Sequence, residues 1–120
     1  MEGVHKVKVG RVYDEPGRGD GARVLVDRIW PRGLSKDKAH LDEWCKDVAP
    51  STTLRKWYQH DPERFEEFGR RYRDELDEPE RAEALAHLRT IAKRRTLTLL
   101  TASKRADISE AVVLAELLRG

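Results

Sequence analysis

The segment of residues 24–33 constrains the fold of this chain more than any other part of the sequence. It begins with the aliphatic run Val-Leu-Val, which is typical of a strand buried on both faces of a parallel sheet. Charged and aromatic side chains follow at once, and Pro31 and Gly33 then end regular structure. Ligands of α/β proteins bind at the carboxyl ends of strands. The segment therefore predicts a site there, with a structural ion-pair network around Asp27 and Arg28 as the competing interpretation.

The size and composition predict one small domain over residues 1–120. A chain of 120 residues is expected to bury roughly two-thirds of its unfolded surface. The net charge of +2 does not by itself require nucleic acid or a membrane surface as partner. Cys45 is the single cysteine, so no intramolecular disulfide can form, and we expect a buried, inert thiol in a reducing compartment. No apolar run approaches the ~18 residues of a membrane span, and residues 1–11 lack the apolar core of a signal peptide. We expect a cytoplasmic protein without membrane contact.

Three segments have the composition of strands. Residues 6–13 alternate basic and apolar side chains, residues 24–26 are aliphatic, and residues 96–101 are β-rich and almost entirely apolar. Residues 14–22 hold one proline and three glycines and predict a loop, whose glycine spacing matches no phosphate-binding fingerprint. The loop is short for a parallel crossover, so the orientation of the first strands stays open.

Apolar spacing predicts four to five helices around this sheet. Residues 41–48 and 79–94 carry apolar side chains at helical spacing. Ser51 caps a helix that runs from residue 52 to about 60, and Asp61 with Pro62 opens another whose apolar stripe runs from 65 to 76. Residues 108–118 are apolar on almost every face, as in a core helix or a subunit interface. The prediction is a three-layer α/β fold with a small sheet of about three mostly parallel strands.

A second candidate site follows the last predicted strand. Ser103, Lys104 and Arg105 lie between that strand and a helix, where backbone N–H groups and the helix dipole favour an anion. From Arg89 to Arg105 the sequence has six basic residues and no acidic one, although those at residues 93–95 could simply complement the end of a helix. If the loops after residues 24–26 and after residues 96–101 lie at one edge of the sheet, their basic side chains converge on a phosphate or carboxylate. The planar guanidinium group of arginine binds two oxygens of such a group.

A third cluster contains Arg55, Trp57 and His60. Arg55 and His60 are candidates for the same pocket, and Trp57 is either an apolar wall of it or a core anchor. His60 beside Asp61 resembles an oriented general base, but neighbours in sequence rarely adopt that geometry. The histidines have no spacing typical of metal ligands, so we expect neither a metal nor a cofactor.

Several motifs together resemble the YeaO-like branch of the domain-of-unknown-function 488 family. Residues 26–33 read Val-Asp-Arg-Ile-Trp-Pro-Arg-Gly and residues 54–57 read Leu-Arg-Lys-Trp, and the similarity extends over about residues 8–119. The resemblance implies a small bacterial, cytoplasmic α/β protein without an established activity. Relatives often carry Asn-His where this chain has Ser109-Glu110, and longer relatives carry a cysteine where it has Thr101-Ala102. Roles that rest on that imidazole or thiol are therefore not expected here.

The leading hypothesis is a small phosphate- or carboxylate-bearing ligand at the carboxyl edge of the sheet. Asp27 would orient an arginine or act as an acid or base, with His60 as the other catalytic candidate, and whether the protein is an enzyme stays open. The predicted ligand-binding residues are Arg28, Trp30, Arg32, Gly33, Arg55, Trp57, Ser103, Lys104 and Arg105.

Two alternatives come from other classes of function. One is a nucleic-acid-associated or regulatory protein that uses the basic strip from Arg89 to Arg105. The other is a non-catalytic interaction module that dimerises through the last helix, so both a monomer and a homodimer are compatible with the sequence.

Overall fold

A computed structural model of the chain describes residues 6–120, in which four strands form one parallel sheet. The expectation about a signal peptide falls partly on residues 1–5, which lie outside the described residues, as does the start of the expected domain. The small, mostly parallel sheet and the three-layer α/β class are confirmed. The strands are β1 (Val7–Arg11), β2 (Ala22–Leu25), β3 (Glu43–Trp44) and β4 (Leu97–Thr101), in the spatial order β1-β4-β2-β3.

Strand β4 is the centre of the sheet. All five of its residues are buried, because β1 and β2 flank it and the sheet is covered on both faces. Arg11 pairs with Thr101, and Leu25 pairs with Leu100, so the three strands end at the same level. The parallel register therefore brings their carboxyl ends to one edge.

The connection from β1 to β2 returns along the sheet without a helix. Gly21 makes the final turn with a φ of 62°, a left-handed conformation that glycine adopts without steric strain. The next residue, Ala22, donates its backbone N–H to Thr96 O at 2.9 Å, at the start of β4. The sequence left the relative orientation of β1 and β2 open. Residues 12–21 connect these strands as a parallel crossover, because the connection is anchored on β4, the strand that it passes.

Asp20 provides a second anchor for this connection. Its carboxylate lies 3.0 Å from Lys8 Nζ and 2.8 Å from Arg23 Nη1, and its backbone oxygen accepts a bond from Thr98 Oγ1 at 2.7 Å. The backbone N–H of Gly17, together with these two cations, lowers the pKa of Asp20 to about 2 against the opposing effect of burial. The carboxylate therefore stays ionised and ties the crossover to β1 and β2.

The helices follow the predicted caps closely. Helix α4 occupies the predicted residues, and the Ser51 hydroxyl accepts the backbone N–H of Leu54 as the expected cap of α2. Helix α2 ends slightly early because Gln59 takes a left-handed conformation with a φ of 49°. The helices are α1 (Lys36–Ala39), α2 (Thr52–Tyr58), α3 (Phe65–Glu75), α4 (Pro79–Arg94) and α5 (Glu110–Arg119), with single 3-10 turns at Lys46–Val48, Pro62–Arg64 and Ala106–Ile108.

Residues 41–48 differ from the helix that their spacing predicts. They form the edge strand β3 and a 3-10 turn, because the free side of β2 satisfies their backbone groups. The N–H groups of Asp42 and Cys45 donate to Arg23 O and Leu25 O at 2.9 and 2.8 Å. Trp44 and Cys45 then face opposite sides of the sheet, which a strand permits and a helical face does not.

Two hydrophobic clusters cover the two faces of the sheet. Val24 and Leu99 belong to the larger one, which contains residues of α2–α5, whereas Leu25 and Leu100 belong to the smaller one under α1 and the loops. Helix α5 buries five of its residues within the larger cluster, which accounts for its apolar character inside one chain. Dimerisation through this helix stays a prediction. Within residues 6–120, no helix has the length and apolar character that crossing a membrane requires.

Two glycines with similar backbones provide a test of the crossover. A Cβ on Gly21 would lie 2.1 Å from Thr96 O, whereas a Cβ on Gly33, whose φ is 75°, meets nothing within 4 Å. Gly33→Ala should lower the free energy of unfolding by about 1–2 kcal/mol, the cost of a left-handed residue. Gly21→Ala should lower it by a further ~1–3 kcal/mol because the backbone must also shift. Urea denaturation measures both values, and equal losses would contradict the role of Gly21 as an anchor.

Candidate functional site at the carboxyl edge of the sheet

A cavity of about 430 Å³ lies at the carboxyl edge of the sheet. This volume is within the ~300–1,000 Å³ range of small-molecule sites. Its wall is built from segments that are distant in sequence and that the parallel register brings together. The residues that matter for its chemistry are Tyr13, Asp27, Arg28, Ile29, Trp30, Arg32, Pro50, Arg55, His60, Ser103 and Glu110.

Asp27 joins the ends of three strands. Its carboxylate accepts hydrogen bonds from Thr101 Oγ1 and from the backbone N–H of Ala102, both at 2.8 Å. Its backbone carbonyl accepts the indole N–H of Trp44 at 2.7 Å. The expectation that Asp27 orients an arginine has no counterpart among the bonds of the described residues, where both carboxylate oxygens hold the loop after β4.

Glu110 forms a carboxyl pair with Asp27. It lies in the first turn of α5, and its side chain reaches hydrogen-bonding distance of the Asp27 carboxylate. Glu110 is half-buried as a whole residue, but its carboxyl group is removed from bulk water. Burial, followed by the hydrogen bond and the repulsion from Asp27, raises the pKa of Glu110 well above its ordinary value of 4.5. The raised pKa favours the protonated form of Glu110, which lets its carboxyl group donate a hydrogen bond to Asp27.

Arg55 lies opposite this pair on α2 and carries an unsatisfied donor. Its Nη2 donates to Thr52 Oγ1 at 3.1 Å, but its buried Nε has no hydrogen-bond partner among the residues that the structure describes. An unpaired buried donor costs about 1–3 kcal/mol. Arg55 lines the cavity, where its guanidinium group provides a positive charge close to Glu110.

The loop that carries Arg28 and Arg32 is held by its aromatic neighbours. Trp30 packs edge-on against Trp44 with ring centroids 5.3 Å apart, and its indole N–H donates to Leu34 O at 2.7 Å. The Tyr13 hydroxyl donates to the backbone oxygen of Arg32 at 3.0 Å. Both guanidinium groups line the cavity, and within residues 6–120 neither forms an ion pair.

The structure brings most of the predicted site residues to one place. Both loops that the sequence singled out contribute to the same wall, as the shared sheet edge requires. The predicted residues that line the cavity are Asp27, Arg28, Trp30, Arg32, Arg55, His60 and Ser103.

Four predicted residues lie elsewhere. Arg105 binds Asp107 through two hydrogen bonds of 2.9 Å, and Lys104 and Gly33 are exposed outside the cavity wall. Trp57 is covered by the guanidinium groups of two arginines, which lie 5.3 and 4.1 Å from its ring centroid. Local partners that the sequence pattern did not reveal therefore engage two of these four side chains.

The basic strip from Arg89 to Arg105 is divided by β4. Lys93 and Arg94 lie in the last turn of α4, which precedes β4, whereas Lys104 and Arg105 follow its other end. A strand of this length separates its ends by roughly 16 Å. The positive charges at the end of α4 therefore complement the helix dipole on the opposite edge of the sheet.

His60 lines the cavity, but its neighbour Asp61 is not its hydrogen-bond partner. Asp61 instead accepts the backbone N–H of Glu63 at 3.0 Å as a helix cap. Among residues 6–120, no group of three or more histidines, cysteines and acids could hold a metal ion. Burial, with the nearby Glu43 charge, raises the pKa of Cys45 to about 11, which fits the inert thiol expected from the sequence.

Comparison with known proteins identifies the family. The protein-family model described as the inactive DUF488-N3 subclade matches residues 6–120 of this chain. The chain belongs to this family. An uncharacterized protein of Mycobacterium tuberculosis and one of Mycobacterium bovis are each 51% identical over 115 residues, which cover 96% of this chain and 95% of each relative. The uncharacterized protein YeaO of Escherichia coli is 42% identical over 113 residues, covering 94% of this chain and 96% of its own length. No solved structure matches the chain.

This assignment confirms the YeaO-like resemblance. Sequence reasoning did not propose Glu110 as a site residue, although it noted that relatives often carry histidine at this place. The departure was itself the available signal, because a titratable side chain at the start of α5 faces the cavity. Sequence reasoning also missed Tyr13 and Ile29, which are 42% and 67% exposed and are the large hydrophobic residues exposed within the described part of the chain.

Replacing Glu110 by glutamine tests the proton of the carboxyl pair. A pKa raised in the folded state means that the native protein retains a proton that the unfolded chain releases above about pH 4.5. Rising pH should therefore reduce the stability of the wild type, from that value up to the raised pKa. Glutamine has no such proton, so Glu110→Gln should gain stability relative to the wild type as the pH rises above about 4.5. Urea denaturation at each pH measures this difference.

Glu116→Gln is the matched control, because it removes an exposed carboxyl group from the same helix. Its free energy of unfolding should stay within about 1 kcal/mol of the wild type. A stability difference between the wild type and Glu110→Gln that does not change with pH would contradict the shared proton.

Proposed function

We propose that this protein binds a small ligand through a phosphate or carboxylate group in the cavity at the carboxyl edge of the sheet. The observation that carries the proposal is the set of cations in its wall. Arg28, Arg32 and Arg55 line the cavity without an ion-pair partner among the described residues, and the buried Nε of Arg55 has no acceptor.

The charge balance of the cavity supports an anionic ligand. Three arginines line the cavity together with two acidic residues, Asp27 and Glu110, so the positive charges outnumber the negative charges even when both carboxyl groups are ionised. The interior is therefore net positive. Guanidinium groups bind two oxygens of a phosphate or carboxylate at once, and they remain charged at every physiological pH.

The bonding of Asp27 supports binding without turnover. Its two carboxylate oxygens are engaged by Thr101 and Ala102, so the residue holds the loop after β4 rather than acting on a ligand. Position 110 carries a carboxyl group where relatives often carry an imidazole. The description of the matching family as inactive agrees with this interpretation.

The geometry favours this proposal over nucleic-acid binding through the basic strip. The strip is split between opposite edges of the sheet, and Arg105 is paired with Asp107. Nucleic-acid binding through this strip would use a continuous cationic surface, and the fold of residues 89–105 does not provide one.

Anion titration of two variants tests the proposal. Phosphate and acetate are added at constant ionic strength, and the free energy of unfolding is followed against chloride alone. A ligand at about 100 times its Kd should add about 2.7 kcal/mol. Arg32→Ala removes a cation from the cavity wall and should weaken binding of the stabilising anion at least about tenfold.

Lys104→Ala is the matched control, because it removes an exposed cation from the same edge but outside the cavity. Its affinity should stay within about twofold of the wild type, since general screening changes little. Equal losses in Arg32→Ala and Lys104→Ala would indicate non-specific attraction. The absence of stabilisation by both anions would overturn the proposal.

A further inference from the structure

A second cavity of about 400 Å³ adjoins the first. The two cavities share the side chains of Ile29, Pro50, Arg55, His60 and Glu110 as a common wall. The second one continues between α2 and α3, where the walls that it does not share with the first are formed by Thr52, Lys56, Tyr58 and Phe68.

The second cavity borders two stacked aromatic rings whose surface is almost fully covered by the protein. Phe68 and Tyr58 are stacked with ring centroids 4.2 Å apart, and both residues are buried. The Tyr58 hydroxyl donates to Ile108 O at 2.6 Å, so the tyrosine contributes its ring rather than a hydrogen bond. The large exposed apolar side chain of this cavity is therefore Ile29, which an apolar, planar group would cover.

Ile29 marks the boundary between the two cavities. It is 67% exposed and lines both of them. A large aliphatic side chain gains about 25 cal/mol for each Å² of apolar surface removed from water. A ligand that spans the boundary would cover this side chain, whereas an inorganic anion held by Arg28 and Arg32 alone would not.

We infer that the ligand has two parts, an anionic group and an aromatic ring, as in an aryl phosphate or an aryl carboxylate. The inference rests on the proposed function for the anionic part. The anion contacts Arg28 and Arg32 in the first cavity, and the ring lies in the second cavity against Phe68 and Ile29. Arg55, in the shared wall, provides a positive charge between the two parts.

The volumes agree with this division. A cavity of about 150 Å³ is sufficient for a benzene molecule. The second cavity, at about 400 Å³, therefore admits one aromatic ring or a fused pair. A phosphate or carboxylate occupies only part of the 430 Å³ of the first cavity.

Calorimetric titration with matched ligands tests the inference. Phenyl phosphate is compared with inorganic phosphate, benzoate with acetate, and phenol serves as the ring without the anion. The aryl anion should bind at least about tenfold more tightly than its inorganic or aliphatic counterpart, and phenol should bind more weakly than phenyl phosphate. If phosphate or acetate binds but the ring adds nothing, the inference fails while the proposed function stands. If neither anion nor aryl anion binds, both fail.

Three variants of α2 test whether the aromatic ring of the ligand lies in the second cavity. Thr52→Trp puts a bulky side chain at the second cavity and should remove the advantage of phenyl phosphate over phosphate. Thr52→Ala removes the same hydroxyl without filling the space and should keep the advantage. Thr53→Trp adds the same side chain to an exposed neighbour that lines neither cavity, and it should also keep the advantage. If Thr52→Trp prefers phenyl phosphate over phosphate as strongly as Thr53→Trp does, the ring does not lie in the second cavity.

Discussion

The insertion of β4 between β1 and β2 is the interaction on which the rest of the structure depends. The two strands that flank it, β1 and β2, come from the start of the chain and do not pair with each other, and β4, near the end of the chain, pairs with both. Even the crossover between them is fixed on β4, through Thr96 and Thr98. Because all pairs are parallel, this arrangement also collects the polar loops at one edge.

The site is a direct consequence of that edge. Asp27 ties the end of β2 to the segment after β4 through its carboxylate, and its backbone carbonyl accepts the indole N–H of Trp44 from β3. Once these ends are fixed, the following loop turns Arg28 and Arg32 into the cavity, and α5 begins with Glu110 against Asp27. The scaffold and the site therefore share one residue, which explains why its carboxylate is bonded internally while the arginines face open space.

Much of the site could be predicted from sequence because strand ends and loops are visible as changes in hydropathy. The run at residues 24–26 gave the position of the loop, and the type of side chains in it indicated an anion. The partners of individual side chains were harder to predict. Arg105 and Trp57 have the right chemistry but meet Asp107 and two arginines, contacts that depend on local turns and on the approach of α3. Glu110 was not proposed because a carboxyl group suits any helix start, and only its neighbour makes it unusual.

By itself the sequence determined the strands β1, β2 and β4 and the helices α2 to α5, because hydrophobic period, caps and prolines act within a few residues. It also determined the chemistry available after each strand. Tertiary structure decided the strand order, the short strand β3 and the raised pKa of Glu110. Each of these depends on groups that are far apart in sequence and meet only after folding. Residues 43–44 pair with the open side of β2 instead of forming a helix, and burial together with the Asp27 carboxylate raises the pKa of Glu110. Free energies of that kind come from contact and burial, which no local pattern contains.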